Sequence, residues 1–239
     1  MTVKNDSMKT PRYPRGFLTA QQIEEFWHTG HFVVRGLTSI KEVRSWQEEC
    51  RRLWDSIEVT EDNPRLHWHD RATEGRVADR IDPLLDISPV FQRLTGDARF
   101  VRSAADLIDG DTDVFKACLI SKQPGTTGDP LHQDYPGWPD AGDIPPDDFI
   151  NVLMPIDPFN LDNGAIELFP GYHRFLLEGP SEEPRDVDES RIDLSKGVML
   201  TLNPGDFVLF HGLIPHRSGP NRTARNRESL FITYVRSGH

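Results

Sequence analysis

The sequence predicts an α+β fold in which a helical N-terminal layer precedes a core of short strands that closes as a double-sheet barrel. Three observations lead there. Up to about residue 112 the apolar positions recur at the i, i+3, i+4 spacing of amphipathic helices, and after Asp113 they switch to short β-runs. Nineteen prolines and eighteen glycines call for many turns and disfavour a long-helix bundle. Six β-runs in the second half, with one strand from the first, suffice for two packed sheets.

The elements follow in order. Residues 1–16 carry basic-flanked prolines without periodicity and read as a flexible arm, with a single domain over 17–239. Thr19 and Gln22 have capping-box form ahead of the stripe Ile23, Phe26, Trp27, and Gly30 sits where a helix C′ residue belongs. Residues 31–37 read as a strand. Ser39 and Glu42 cap a second helix, running to about Ile57, with Val43, Trp46, Cys50, Leu53 and Trp54 on one face. Residues 60–75 are polar and aperiodic, a loop long enough to be functional. Ser88-Pro89 starts a helix through Leu94, and Asp97 starts another that stops at Gly110. The helical layer thus spans about 17–112 and the β-core about 113–236. Strands are expected at 114–121, 149–156, 165–169, 197–202, 207–211 and 229–235. Asn203-Pro-Gly-Asp206 has type II turn chemistry and would join the fourth and fifth of these as a hairpin. Residues 180–193, acidic and without apolar anchors, read as a solvated loop.

Composition narrows the function classes. The 239 residues contain no run near the ~18 apolar residues of a membrane span and no signal-peptide core at the N-terminus. A net charge of −11 repels phosphate backbones and anionic lipid, so nucleic acid and membranes are unexpected partners and a small molecule is expected. Cys50 and Cys118 are too few for a disulfide framework, sit in apolar contexts and fit a reducing, cytoplasmic setting.

The chemistry concentrates in Leu131-His132-Gln133-Asp134-Tyr135. On an extended chain residues i and i+2 face the same way, so His132 and Asp134 can grasp one ion. A third ligand candidate, His216, lies 84 residues on, and His211 competes with it. Two histidines and one carboxylate leave three octahedral positions open, the facial arrangement suited to non-haem Fe(II) oxygen chemistry. An open iron of this kind needs a two-electron donor, and a dianionic keto acid needs a fixed cation. Arg227, 11 residues after His216 at the start of a strand, is better placed for that than Arg222 or Arg225.

The stretch LISKQPGTTGDPLHQDYPGW, with DNGAIELFPGYHR and PGDFVLFHGLIPHRSGPNRTARNR, resembles the phytanoyl-CoA dioxygenase family of Fe(II)/2-oxoglutarate oxygenases over about residues 17–236. The resemblance implies a double-stranded β-helix, or jelly roll, with an N-terminal helical layer. It implies metal ligands at His132, Asp134 and His216, an oxoglutarate-binding arginine at Arg227, and a hydrogen-bonding Ser218. Arg80 matches an upstream basic position that also serves the co-substrate. The family's aromatic residue behind oxoglutarate would fall near Leu153, where this sequence departs from the pattern. The implied reaction hydroxylates an unactivated C–H bond with O₂ while 2-oxoglutarate becomes succinate and CO₂. LHQDYPGWP with PID and FPGYHR resembles the branch acting on small aminoalkylphosphonates, and secondary-metabolite hydroxylases are comparably similar. Halogenation would need a vacant position where Asp134 stands.

Neighbouring residues have plainer alternatives. His67-Trp68-His69-Asp70 has metal-like spacing but no third partner, and reads as surface or pocket-lining loop. Tyr135 and Trp138 are candidates for the substrate pocket or for lid packing. The same His/Asp/His set could serve a zinc hydrolase or isomerase, which Arg227 argues against. A non-catalytic jelly-roll binding protein is the third reading, which the intact triad disfavours.

Overall fold

The computed structural model describes residues 16–73, 75–137 and 143–238. The expected arm over 1–15 lies outside them. Helix α1 (Ala20–Thr29) begins with the reciprocal Thr19–Gln22 box and ends on Gly30, whose φ of 86° is left-handed and whose N–H donates to Phe26 O. Strand β1 (His31–Val34) leads to α2 (Ile40–Ser56), capped by Ser39 and Glu42. The Ser39 N–H and Arg99 together draw the Glu42 carboxyl down to about 2. After α3 (Pro89–Thr95) and α4 (Ala98–Ile108) the chain turns at Asp109, one residue before the expected Gly110, with φ 54°.

Residues 60–75 are not simply a loop. Strand β2 (Leu66–Asp70) pairs antiparallel with β3 (Arg76–Ile81), in register Leu66↔Ile81, so the helical layer carries a hairpin at the edge of the main sheet. The core strands are β4 (Thr112–Lys122), β5 (Phe149–Pro155), β6 (Ile166–Leu168), β7 (Val198–Met199), β8 (Phe207–His211), β9 (His216–Ser218) and β10 (Arg227–Arg236). Seven strands form one antiparallel sheet in the order β1-β8-β5-β10-β4-β3-β2, and three form a second in the order β7-β6-β9. This is the jelly-roll arrangement expected.

The 203–206 turn forms, with Asp206 N–H donating to Asn203 O at 3.0 Å, but it does not close a hairpin. β7 pairs with β6 in the small sheet while β8 pairs with β1 and β5 in the large one. The reason lies at Gly205, whose φ is 101° and whose carbonyl accepts from Leu37 N–H at 2.9 Å, docking the turn on the β1–α2 connection. The chain therefore changes sheets there. β9 is likewise a strand where the sequence suggested only the flank of a turn.

Alternation on the large sheet sorts two faces. Leu119, Val152, Met154, Leu230, Ile232 and Tyr234 pack outward against the helices. The Tyr234 hydroxyl donates to Thr95 O at 2.7 Å and ties β10 to the end of α3. On the inner face Leu153, Val208 and Phe210 meet Ile166 and Leu168 of the small sheet. Beyond this apolar contact the sheets part around a polar cavity.

Candidate active site

The cavity measures about 520 Å³. His132 lies in the connection after β4, and His216 opens β9. Their backbones form an antiparallel bridge, each N–H donating to the other's carbonyl at 2.9 Å, which holds the rings with centroids 4.1 Å apart. The Nδ1 atoms face the carbonyls two residues earlier, Pro130 O at 2.8 Å and Ile214 O at 3.0 Å. A ring nitrogen against a carbonyl carries the proton, so each Nε2 keeps its lone pair free. Both Nε2 atoms lie 3.6 Å from carboxylate oxygens of Asp134. One ligand atom from each of the three falls within 4.8 Å of the others, the one such group among the described residues. Burial, with the neighbouring His132, pushes His216 down to about 4, which keeps it a neutral donor at pH 7.

Asp134 is aimed by two partners. Asn151 Nδ2 donates to its Oδ2 at 3.0 Å and Arg185 Nη2 to its Oδ1 at 3.0 Å. Asn151 is held in turn by Thr233, whose hydroxyl donates to Asn151 Oδ1 at 2.8 Å. Burial alone would raise the Asp134 carboxyl; His216, His132 and Arg185 outweigh it and hold the group well below the carboxylate range.

The far end of the cavity is cationic. Arg227 is cross-strand to Lys122, and both side chains are buried. The guanidinium lies over the Phe159 ring, 4.0 Å from its centroid, and its Nε has no hydrogen-bond partner. Burial lowers Arg227 to about 10 and also lowers Lys122. Lys122 Nζ donates to Ser218 Oγ at 2.5 Å and to Asp129 Oδ2 at 3.1 Å, while the Ser218 hydroxyl donates to Asp129. Arg80, on β3 opposite Ile120 of β4, lines the same cavity with its Nε unpartnered. The wall between is Cys118, Leu153, Ser229 and Phe231. Burial pushes the Cys118 thiol up to about 11. Phe231 is the cross-strand partner of Leu153, so a ring stands in the wall beside the position where the family pattern places its aromatic residue.

Other candidates fall elsewhere. Tyr135 turns away from the cavity: its N–H donates to Gly212 O at 3.0 Å, its hydroxyl to Ile144 O at 2.6 Å, and its ring packs edge-on against Phe149. It closes a small apolar cluster and does not line the pocket. Trp138 lies outside the described residues. His211 bonds Asp147 through Nε2 at 3.1 Å and accepts Leu213 N–H at Nδ1, and it is not part of the ligand group. Arg222 and Arg225 are absent from the described cavity wall. His67 is half exposed beside Asp82, and His69 bonds Thr127 at 2.9 Å.

The 180–193 segment is not a free solvated loop. Gln133 N–H donates to Arg185 O at 3.1 Å, Asp186 bridges to His132, and Ser181, Glu183, Arg185 and Asp186 line the cavity. Asn151, Lys122, Asp129 and Arg185 are the functional candidates missing from the sequence reading. A lone Asn inside the apolar run of β5 and a Lys two residues past Ile120 on the inward row were visible signals; Arg185 left none.

The donor set and the unpartnered arginine nitrogens fit a divalent metal with an anionic co-substrate. Comparison with known proteins agrees. Residues 26–229 match the family model described as phytanoyl-CoA dioxygenase. A multifunctional dioxygenase, ausE of Emericella nidulans, is 30% identical over 224 residues, 88% of this chain and 71% of the relative. A methylphosphonate hydroxylase of Gimesia maris is 24% identical over 221 residues, covering 91% and 80%. Among solved structures, EctD from S. alaskensis with 2-oxoglutarate and 5-hydroxyectoine superposes with a TM-score of 0.79 at 22% identity, over 98% of this chain and 84% of that one. Fold and family model converge, and the chain belongs to the phytanoyl-CoA dioxygenase family.

Proposed function

We propose that this protein is an Fe(II)- and 2-oxoglutarate-dependent hydroxylase of a small metabolite, with residues 17–239 acting as one catalytic domain. The observation that carries the reading is a single cavity with His132, Asp134 and His216 at one end and the buried, unpartnered Arg227 Nε at the other. Bound Fe(II), with 2-oxoglutarate and O₂, supplies the oxidant for a C–H bond as the oxo acid becomes succinate and CO₂.

The chain's own residues prepare that chemistry. Pro130 O and Ile214 O fix the tautomers that present both Nε2 atoms as ligands. Asn151 and Arg185 hold the two oxygens of Asp134 and fix its plane. Arg227 receives the distal carboxylate of 2-oxoglutarate on its planar fork, Ser218 and Lys122 add donors, and Arg80 strengthens the field. Asp134 occupies the ligand position that halide would need.

Two substrate sets merit screening, small aminoalkylphosphonates and secondary-metabolite intermediates. Relatives named for 2-aminoethylphosphonate and methylphosphonate, and others named multifunctional dioxygenases, support that choice. The acidic chain favours small molecules over nucleic acid, and the two free buried cysteines suit a cytoplasmic setting. The test is anaerobic Fe(II) titration followed by succinate release with O₂ and both sets. His132→Ala, Asp134→Ala and His216→Ala are expected to abolish Fe(II) binding and His211→Ala to spare it. A requirement for His211 instead of His216 overturns the assignment.

A further inference from the structure

Arg185 holds Asp134 through one guanidinium nitrogen, and the oxoglutarate reading gives its buried Nε no partner. Arg185 reaches the metal end from the 180–193 segment, and its placement is built in. Its backbone carbonyl accepts Gln133 N–H at 3.1 Å, and the next residue bridges to His132. Its aliphatic stem crosses Gly137 so closely that a Cβ there would collide with Arg185 Cδ and Cγ. The guanidinium thus lands with Nη2 on Asp134 Oδ1 at 3.0 Å, with Nε buried and without a partner.

Charge balance gives this placement a meaning. At the far end Arg227 and Lys122 face Asp129 and the distal carboxylate of the oxo acid, which sums to neutral. Arg80 is matched by Asp79, Lys116 by Asp82 at 2.5 Å, and Arg217 by Glu167 at 2.6 Å. Around the ligand set a divalent ion and Arg185 face Asp134 and the proximal carboxylate of the oxo acid. Among the groups in direct contact there, one positive charge is left over. Glu183 and Asp186 on the same segment carry negative charge, but neither forms an ion pair with Arg185: Glu183 is exposed, and the Asp186 oxygens accept the N–H groups of Ser181 and Val187.

Resting on the hydroxylase reading, we infer that Arg185 is a specificity-determining residue and that the substrate is a small acid whose carboxylate or phosphonate group it binds at the metal end of the cavity.

The experiment uses full-length protein loaded anaerobically with Co(II) and 2-oxoglutarate. Calorimetry then measures binding of matched alkyl and aminoalkyl carboxylates, the corresponding phosphonates, and the methyl esters of each. Wild type is expected to retain at least one acid about 30-fold or more over its neutral ester, the range of a charge-assisted hydrogen bond. The carboxylate and phosphonate arms identify which acid it is. Arg185→Gln should bring that ratio close to one, and Arg185→Lys should restore part of it. A residue that only aimed Asp134 would shift Co(II) affinity and weaken acid and ester alike, leaving their ratio unchanged. That outcome, or a wild type indifferent to acid against ester, overturns the inference. Failure of Co(II) or 2-oxoglutarate to bind defeats the hydroxylase reading instead, and calorimetry separates the two.

Discussion

Replacing Arg227 with Met should make the co-substrate-free protein more stable while removing its affinity for 2-oxoglutarate. Burial lowers the Arg227 guanidinium from 12.5 to about 10. At ~1.4 kcal/mol per tenfold change in proton affinity, holding the ion in the cavity costs about 3 kcal/mol. A base with a depressed folded-state value is penalised wherever it is charged, so the cost applies below pH 10 and fades only as pH rises beyond it. Against that stands the contact with the Phe159 face, worth ~2 kcal/mol when desolvated, part of which a Met side chain keeps. The net gain is about 1 kcal/mol, equivalent to ~2–4 °C in a domain of this size. Calorimetric scans at pH 7.5, with and without 2-oxoglutarate on metal-loaded protein, test both halves. The variant should melt higher than wild type without co-substrate and show no further rise with it. A lower melting temperature would refute the reasoning, because it would mean the arginine is a structural ion-pair member; so would an undiminished response to 2-oxoglutarate.

Asn151→Ala should weaken Fe(II) binding by about 10- to 100-fold, the usual cost of losing a group that orients a metal ligand, and titration of the folded variant measures it. Thr233→Val, which removes the donor behind Asn151, should produce a smaller loss in the same assay. Ser218→Ala should cost on the order of 1 kcal/mol in 2-oxoglutarate affinity, one neutral hydrogen bond; an unchanged dissociation constant would remove Ser218 from the site. Glu228, on the helix-facing side of β10 next to Arg227, is buried with Oε1 accepting from the Ser121 hydroxyl, and burial raises its carboxyl to about 7. Its folded form holds the proton more tightly than the unfolded chain, so stability is fully present below about pH 4.5 and falls as pH rises through 7. Glu228→Gln should therefore raise the melting temperature at pH 8 and leave it nearly unchanged at pH 4.5, and a pH-independent difference would contradict this.

What was legible in the sequence divides along physical lines. Helix starts are local, and Thr19, Ser39, Ser88 and Asp97 each cap where their side-chain chemistry indicates. The hairpin of β2 and β3 was hidden because Asp79 and Arg80 face a polar cavity, so the strand lacks the apolar alternation that advertises burial. The exchange of sheets at Gly205 depends on the docking of Leu37 N–H, a contact 168 residues apart in sequence that no local turn signal encodes. The spacing of His132, Asp134, His216 and Arg227 was readable as a pattern, and the structure places all four on one cavity. Arg185 was not, because an arginine in an acidic stretch looks solvated until the stretch is seen folded back on Gln133.

The paired backbone hydrogen bonds between His132 and His216 have a consequence for how the protein matures. Ligand spacing is written into main-chain pairing, which belongs to the folding of the sheets, so an ion that departs takes no backbone bond with it. Synthesis and metallation can then run on separate clocks, because the pairing that spaces the ligands needs no ion to form. Stripping with a chelator and reloading should be repeatable on one sample, with far-ultraviolet dichroism unaltered through each cycle.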